Sequence, residues 1–157
     1  MLYSLSPYQL AFNDFVIGAG THWVVESIDG LASLPPLRVQ DDNRGYIDGS
    51  YSGRDFYDGR TVTIQVLTLG DNSHSAQYYY RQFQAAWTPQ QYGYPSALST
   101  FQFQLDAGAP LMLMYGRVRS NETIVDPEYT FGYIRSTVTL YFPDPRYYNT
   151  TLQTASV

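Results

Sequence analysis

The sequence predicts a mainly β domain, a β-sandwich or split barrel, with one α-helix packed on a sheet. Three observations carry that reading. Residues 60–69, RTVTIQVLTL, alternate polar and apolar side chains and are rich in β-branched types, the pattern of a half-buried strand. Residues 73–87 change to a helical period, with an aromatic stripe along one face. The other periodic stretches all repeat every two residues, so the helix must bury its stripe against a sheet.

In chain order, residues 10–17 hold Leu, Phe, Phe, Val and Ile and predict a first strand ending at Gly18 and Gly20. Residues 21–28 predict a second strand, with His22, Val24 and Ile28 on one side and Trp23 and Val25 on the other. Asp29-Gly30 is a turn signal. Pro35 and Pro36 exclude residues 31–39 from a central strand, because proline has no backbone donor. Residues 40–59 differ in character. They are rich in Asp, Gly and Ser and nearly free of aliphatic residues, and they predict a long loop or hairpin arm. Such length inside a compact domain signals function or disorder. Tyr46, Tyr51, Phe56 and Tyr57 recur through it, and disordered linkers lack aromatics, so these four are candidate subunit-interface residues.

After the central strand, residues 70–73 break the pattern, and Asn72 or Ser73 is placed to cap the helix. At 100° per residue, Ala76, Tyr80, Phe83 and Trp87 form the expected core face, flanked by Tyr79 and Ala86. Tyr78 then points nearly opposite and is a further interface candidate, since tyrosine is enriched where proteins meet. Thr88-Pro89 ends the helix. Residues 90–96 read as a loop, 100–105 as a strand and 106–110 as a turn. Residues 111–119 are apolar on both sides and predict a central strand. A polar connection over 120–130 precedes a strand over 131–142, and Pro143-Asp144-Pro145 closes it. The result is a single domain over 1–148, of roughly six to eight strands, with 149–157 as a tail or the start of a linker.

Composition narrows the function. The chain of 157 residues is 44% hydrophobic and 15% charged, a globular composition. Sixteen residues are tyrosine, the formal charge is −5, and every basic residue is arginine. No basic cluster tracks a phosphate backbone, which argues against sequence-specific nucleic-acid binding. Without cysteine there is no disulfide, thiolate metal site or cysteine nucleophile, and the absence fits a reducing cytoplasm. No signal peptide and no membrane insertion are expected. His22 and His74 stand alone, with no partner at metal-ligand spacing. Asp48, Ser50, Ser52 and Gly53 match the opening of a calcium loop, but its twelfth position is Gly59 where a bidentate glutamate is needed. Carboxylates such as Asp14, Glu26 and Asp41 offer no distinguished pair for glycoside hydrolysis. No nucleophile elbow, phosphate loop or dinucleotide fingerprint is present. The residues read as a non-enzyme without catalytic residues, metal or cofactor. The sequons at Asn121 and Asn149 carry no weight here.

Three segments carry a family resemblance: Gly30-Leu31 with Leu34-Pro35-x-x-Arg38; Asp48-Gly49, Gly53-x-Asp55 and Gly59-Arg60-Thr-Val-Thr-Ile64; and Leu140-x-Phe-x-Asp144-Pro-Arg146-x-Tyr148. Their order, with a helix between the second and third, resembles the N-terminal domain of siphophage distal tail proteins, also known as minor tail proteins. The resemblance implies a tail-tube-like fold and a structural virion protein made in the host bacterial cytoplasm and located at the phage tail tip. It implies a homo-oligomer, a hexameric ring joining the tail tube protein to the baseplate hub. The ring would line a channel for the tape measure protein and for DNA, which passes without specific binding. Residues 45–58 would then embrace a neighbouring subunit, and an acidic, lysine-free wall would let DNA slide. Larger members carry a second, C-terminal module; this sequence stops shortly after Asp144-Pro-Arg146, as either a ring-only form or a fragment, so host-sugar binding is not carried over. Two other readings stand beside it. A major tail tube protein shares the fold. A carbohydrate-binding module would need exposed Trp23 and Trp87. A glycosidase is more distant.

Overall fold

The structure, a computed structural model, describes residues 4–89 and 98–150. Twelve strands and two helices follow in order: β1 Gln9–Phe12, β2 Phe15–Gly18, β3 Trp23–Asp29, β4 Leu37–Arg38, β5 Asp42–Asn43, β6 Ser50–Tyr51, β7 Phe56–Tyr57, β8 Arg60–Leu69, α1 Ala76–Ala86, β9 Ser99–Gln104, β10 Met112–Ile124, α2 Pro127–Thr130, β11 Tyr133–Phe142 and β12 Tyr148–Asn149. The fold is mainly β, as expected. One antiparallel sheet runs β2-β1-β9-β10-β11-β8-β3, with β12 added beside β10. Its edges, β2 and β3, are not paired with each other, so the sheet is an open, folded surface and not a closed barrel. The loop expected at 90–96, and the tail beyond residue 150, lie outside the described residues.

The sheet folds at β10. Its first half, from Met112 to Gly116, pairs with β9, and the register with β11 runs from Arg117 to Ile124. A bulge between Val118 and Ser120 adds local twist. Gly116 lies at the switch, where a Cβ would stand 2.4 Å from the Phe142 ring, so only glycine leaves that ring its place. The two halves face each other across the core. Leu10, Phe12, Ile17, Phe101 and Met114 come from one half; Val62, Ile64, Val66, Val138 and Leu140 come from the other. Burying one such side chain stabilises by about 1.5–3 kcal/mol, so this two-sided cluster is what holds the fold.

The helix closes the core. Phe83 and Trp87 are fully buried and stack at 5.6 Å, and Trp87 meets Phe12 at 5.0 Å. Ala76 is buried as well. Tyr79, expected only as a flank, is buried to 9% exposure, while Tyr80 is half-buried and donates or accepts a hydrogen bond with Thr123 at 2.6 Å. Tyr79 therefore takes the inward place expected of Tyr80, while Ala76, Phe83 and Trp87 keep the expected face. Asn121 donates from its side-chain amide to the Trp87 carbonyl and so caps the helix C-terminus.

Four expectations are corrected. Residues 10–17 form a hairpin, not one strand: Asn13 turns the chain with φ 51° and bonds across to Thr100 and Ser99. A bulge between Val25 and Ser27 shifts the alternation of β3 after it, so Ile28 packs on the core side with Trp23 and Val25 and not with exposed Val24. The helix entrance is tied by Asp71, not by Asn72 or Ser73; its carboxylate accepts from the Ser73 and His74 amides at 2.8 and 2.7 Å. Residues 120–124 continue β10, and α2 follows, capped by the Asp126 carboxylate with Pro127 in its first turn.

Candidate subunit interface

Between β3 and β8 the chain leaves the body. β4 pairs with β7 and β5 pairs with β6, forming an interrupted antiparallel hairpin whose turn is closed by Arg44 N–H on the Gly49 carbonyl at 3.3 Å. Every residue from 36 to 58 is exposed. The sequence dictates this: the stretch has too few aliphatic side chains to build a core of its own, while its short strands still satisfy part of the backbone. The predicted arm is thus an arm in space. Tyr46 at the turn is entirely exposed (104%), and Tyr51, Phe56 and Tyr57 expose 62%, 41% and 67%. Ile47, Leu37 and Val39 extend the apolar surface.

Arginine side chains lie over two of these rings. The Arg44 guanidinium lies 4.7 Å from the Tyr51 ring centre, and Arg38 and Arg54 lie 5.9 and 5.6 Å from Phe56. Each exposed contact of this kind contributes about 0.5–1 kcal/mol. Asp41 accepts from the Gly53 amide at 2.9 Å across the arm. At the arm's base, Phe56 and Tyr57 face Pro143 and Arg146 across an open cleft of about 420 Å³.

The root is held by a buried charge. Arg60, the first residue of β8, is only 3% exposed. Its Nη1 donates to the carbonyls of Gly30, Leu31 and Ser33 at 2.9, 2.6 and 2.6 Å. Tyr147 lies over the guanidinium at 4.7 Å and donates its hydroxyl to the same Leu31 carbonyl. Gly30 has φ +80°, and a Cβ there would meet the Thr61 carbonyl at 2.3 Å, so the outgoing leg presses directly on β8. Sequence reasoning missed this clamp. The signal was present: Arg60 shares its side of the strand with Val62, Ile64 and Val66, an apolar position occupied by a charge.

Tyr78 is not brought to the arm. It sits in the first turn of α1, 45% exposed, stacked on His74 at 4.2 Å. That turn follows the far end of β8, so the ten-residue strand separates it from the arm's root by about 30 Å. Beside it, Asp71 accepts from the Tyr79 hydroxyl at 2.8 Å and lies 3.7 Å from His22, whose ring stacks on Tyr79. The His74 amide, then the Tyr79 hydroxyl and the Ser73 amide, hold the Asp71 carboxyl below its ordinary value, and the same bond raises Tyr79. Exposed Phe131 and Tyr133 complete this end.

No group of three or more His, Cys, Asp or Glu side chains is placed to hold a metal among the described residues. Trp87 is enclosed and Trp23 half-buried, its indole N–H donating to the Tyr79 carbonyl at 3.1 Å. Trp87 therefore offers no face to a sugar ring. No helix among the described residues is long and apolar enough to cross a membrane.

No family model matches the chain, and no curated protein matches it in sequence. Among solved structures it is similar to the Dit protein of phage SPP1, described as a paradigm of the hub adsorption apparatus in phages infecting Gram-positive bacteria. The chain has the fold of the matched half of Dit. The TM-score is 0.66 at 14% identity, over 90% of this chain. The match covers 51% of the Dit chain, so this chain spans about half the length of that protein.

Proposed function

We propose that this chain is a structural subunit of a phage tail, the ring-forming distal adaptor that joins the tail tube to the hub. The observation that carries the reading is the arm: a hairpin of exposed aromatic side chains with no seat on its own body. Apolar surface of that kind marks a binding site for another protein. The likeness to Dit supports a tail setting, and the three sequence segments described above point the same way.

A ring needs a heterologous contact, in which one surface meets a different surface on the next copy. The molecule offers two at opposite ends of β8: the arm with Tyr46, Tyr51, Phe56 and Tyr57, and the end bearing Tyr78, Phe131 and Tyr133. In this reading six copies close the ring, the hub and tube proteins cap its two faces, and the lumen passes the tape measure protein and DNA. The formal charge of −5 without any lysine suits a wall that must not hold DNA. The protein works by contact and carries no reaction chemistry.

The test is native mass by light scattering on purified protein, with and without a tail tube protein, together with electron-microscope images. Rings or tube-end complexes are expected. A strict monomer at high concentration that also ignores the tube protein would overturn the proposal. Long stacked tubes of this chain alone would instead identify it as the tube protein.

A further inference from the structure

We propose that Arg60 is the positioning residue of the arm: with Tyr147 it clamps the arm's outgoing leg to the body and so fixes the direction in which the aromatic hairpin projects. This rests on the arm's role in assembly, but it concerns the free monomer.

The geometry leads there in three steps. First, Arg60 has no carboxylate partner among the ion pairs of the described residues; its Nη1 is spent on three backbone carbonyls of one short strap, and its buried Nε has no hydrogen-bond partner. A cation is expensive to bury, and an apolar residue at this inward position of β8 would serve the core as well. What the guanidinium alone supplies is a flat set of donors that reaches several carbonyls at once while a ring stacks on its face. Second, the strap it grips, residues 30–33, leads straight into the arm, and Arg60 itself follows the arm's return leg. Both legs therefore end at one side chain, and the Asp58 amide on the Pro36 carbonyl at 2.8 Å ties them a second time. Third, beyond that point the hairpin buries no residue against the body: residues 36–58 are all exposed. The direction of the whole arm is set at its root. Tyr147 belongs to the closing segment after β11, so that segment holds the clamp from above.

The chain has no cysteine, so two can be introduced and spin-labelled without background. Labels at Tyr46→Cys, on the tip, and Gln65→Cys, on the exposed face of β8, report the tip-to-body distance by pulsed electron paramagnetic resonance. The measurement is made on dilute monomer, so it does not depend on whether rings form. In the parent the distribution is narrow. In Arg60→Met it broadens about twofold or more, because the root is released while β8 and β11 keep their hydrogen-exchange protection. Arg60→Lys, which keeps the charge but neither the fork nor the stacking, broadens similarly, and Tyr147→Phe broadens less. An unchanged width in Arg60→Met with core protection intact overturns the proposal. Should Arg60→Met not fold, unchanged widths in both Arg60→Lys and Tyr147→Phe overturn it equally. Broadening in a variant that still assembles normally would uphold the clamp and count against the arm's part in the ring.

Discussion

Excising residues 39–55 and joining Arg38 to Phe56 through a two-residue turn separates the arm's role in assembly from any role in folding. The join is feasible because Arg38 and Phe56 already face each other across the β4–β7 ladder. None of the excised residues belongs to the core cluster, and all are exposed, so the monomer loses no burial. Shortening the closed loop from about seventeen residues to two relieves about 2 kcal/mol of loop-closure entropy. Against that stand the Arg44–Tyr51 and Arg54–Phe56 contacts, about 0.5–1 kcal/mol each. The monomer should therefore melt at the parent temperature or a few degrees above it, since about 1 kcal/mol moves a domain of this size by about 2–4 °C. Assembly should behave otherwise. Tyr46, Ile47 and Tyr51 leave with the excised segment, and burying three such side chains would contribute about 4–9 kcal/mol gross. Losing even the lower figure weakens association by about a thousandfold. Sedimentation velocity over a concentration series, beside a thermal melt, reads both quantities. A melting temperature lower by more than about 10 °C would place the arm in the core and refute the reasoning. Unaltered assembly would refute the interface.

Other outcomes follow from the same geometry. Tyr46→Ser with Tyr51→Ser should lower stability by no more than about 1 kcal/mol, the value of the lost Arg44–Tyr51 contact, while reducing association, read by the same sedimentation series. Phe83→Ala opens a cavity between helix and sheet and should cost about 3–5 kcal/mol in a denaturant titration; a cost under about 1 kcal/mol would mean that the helix is not docked. Stability against pH should show a plateau. Asp71 and Asp144 are held below 3.8, so their contribution is present above that value and lost as pH falls through their folded-state values. Tyr79 and Tyr148 are raised above 10.0, so their contribution is present below that value and lost as pH rises through their folded-state values. In Asp71→Asn, Tyr79 should titrate closer to the ordinary phenol, followed by tyrosinate absorbance.

Much of the architecture was legible because it follows from local period. β8, α1, β9 and β11 each repeat over enough residues to reveal their type, and β8 and β11 reveal their buried side as well. The arm was legible by contrast, as a stretch with aromatics but no periodic apolar face. What escaped depends on single residues that local period cannot see. Asn13 turns a continuous apolar run into a hairpin by taking a left-handed conformation. The β3 bulge adds one residue and inverts the pattern after it. Asp126-Pro127 is a helix-start signal, but it opens a helix of one turn too short to show a period. In α1, a run of three tyrosines gives no contrast by which to choose the buried one. Tyr79 lies inward because Asp71 holds its hydroxyl, and Tyr80 stays at the rim because its hydroxyl meets Thr123. The root clamp was hidden for a different reason: its partners are backbone carbonyls thirty positions away, which have no signature in sequence.

The clamp also shows how stability and direction can be separated in one side chain. In Arg60→Met, three carbonyls lose their donor, but they do not suffer equally. Gly30 and Ser33 retain access to water, while Leu31, which is buried, keeps the Tyr147 hydroxyl. The buried Nε with no partner and the cost of desolvating a charge vanish together with the arginine. Replacing a buried charge by an apolar side chain of similar size is often neutral or stabilising, whereas stranding a charge is not. The melting temperature of Arg60→Met should therefore lie within about 4 °C of the parent, equivalent to about 1–2 kcal/mol. A fall beyond about 10 °C would mean that the guanidinium holds the body together and not merely the arm. If the small change is observed, the arginine is kept at an inward position at little benefit to the fold, and the remaining physical reason for it is the fixed bearing of the hairpin.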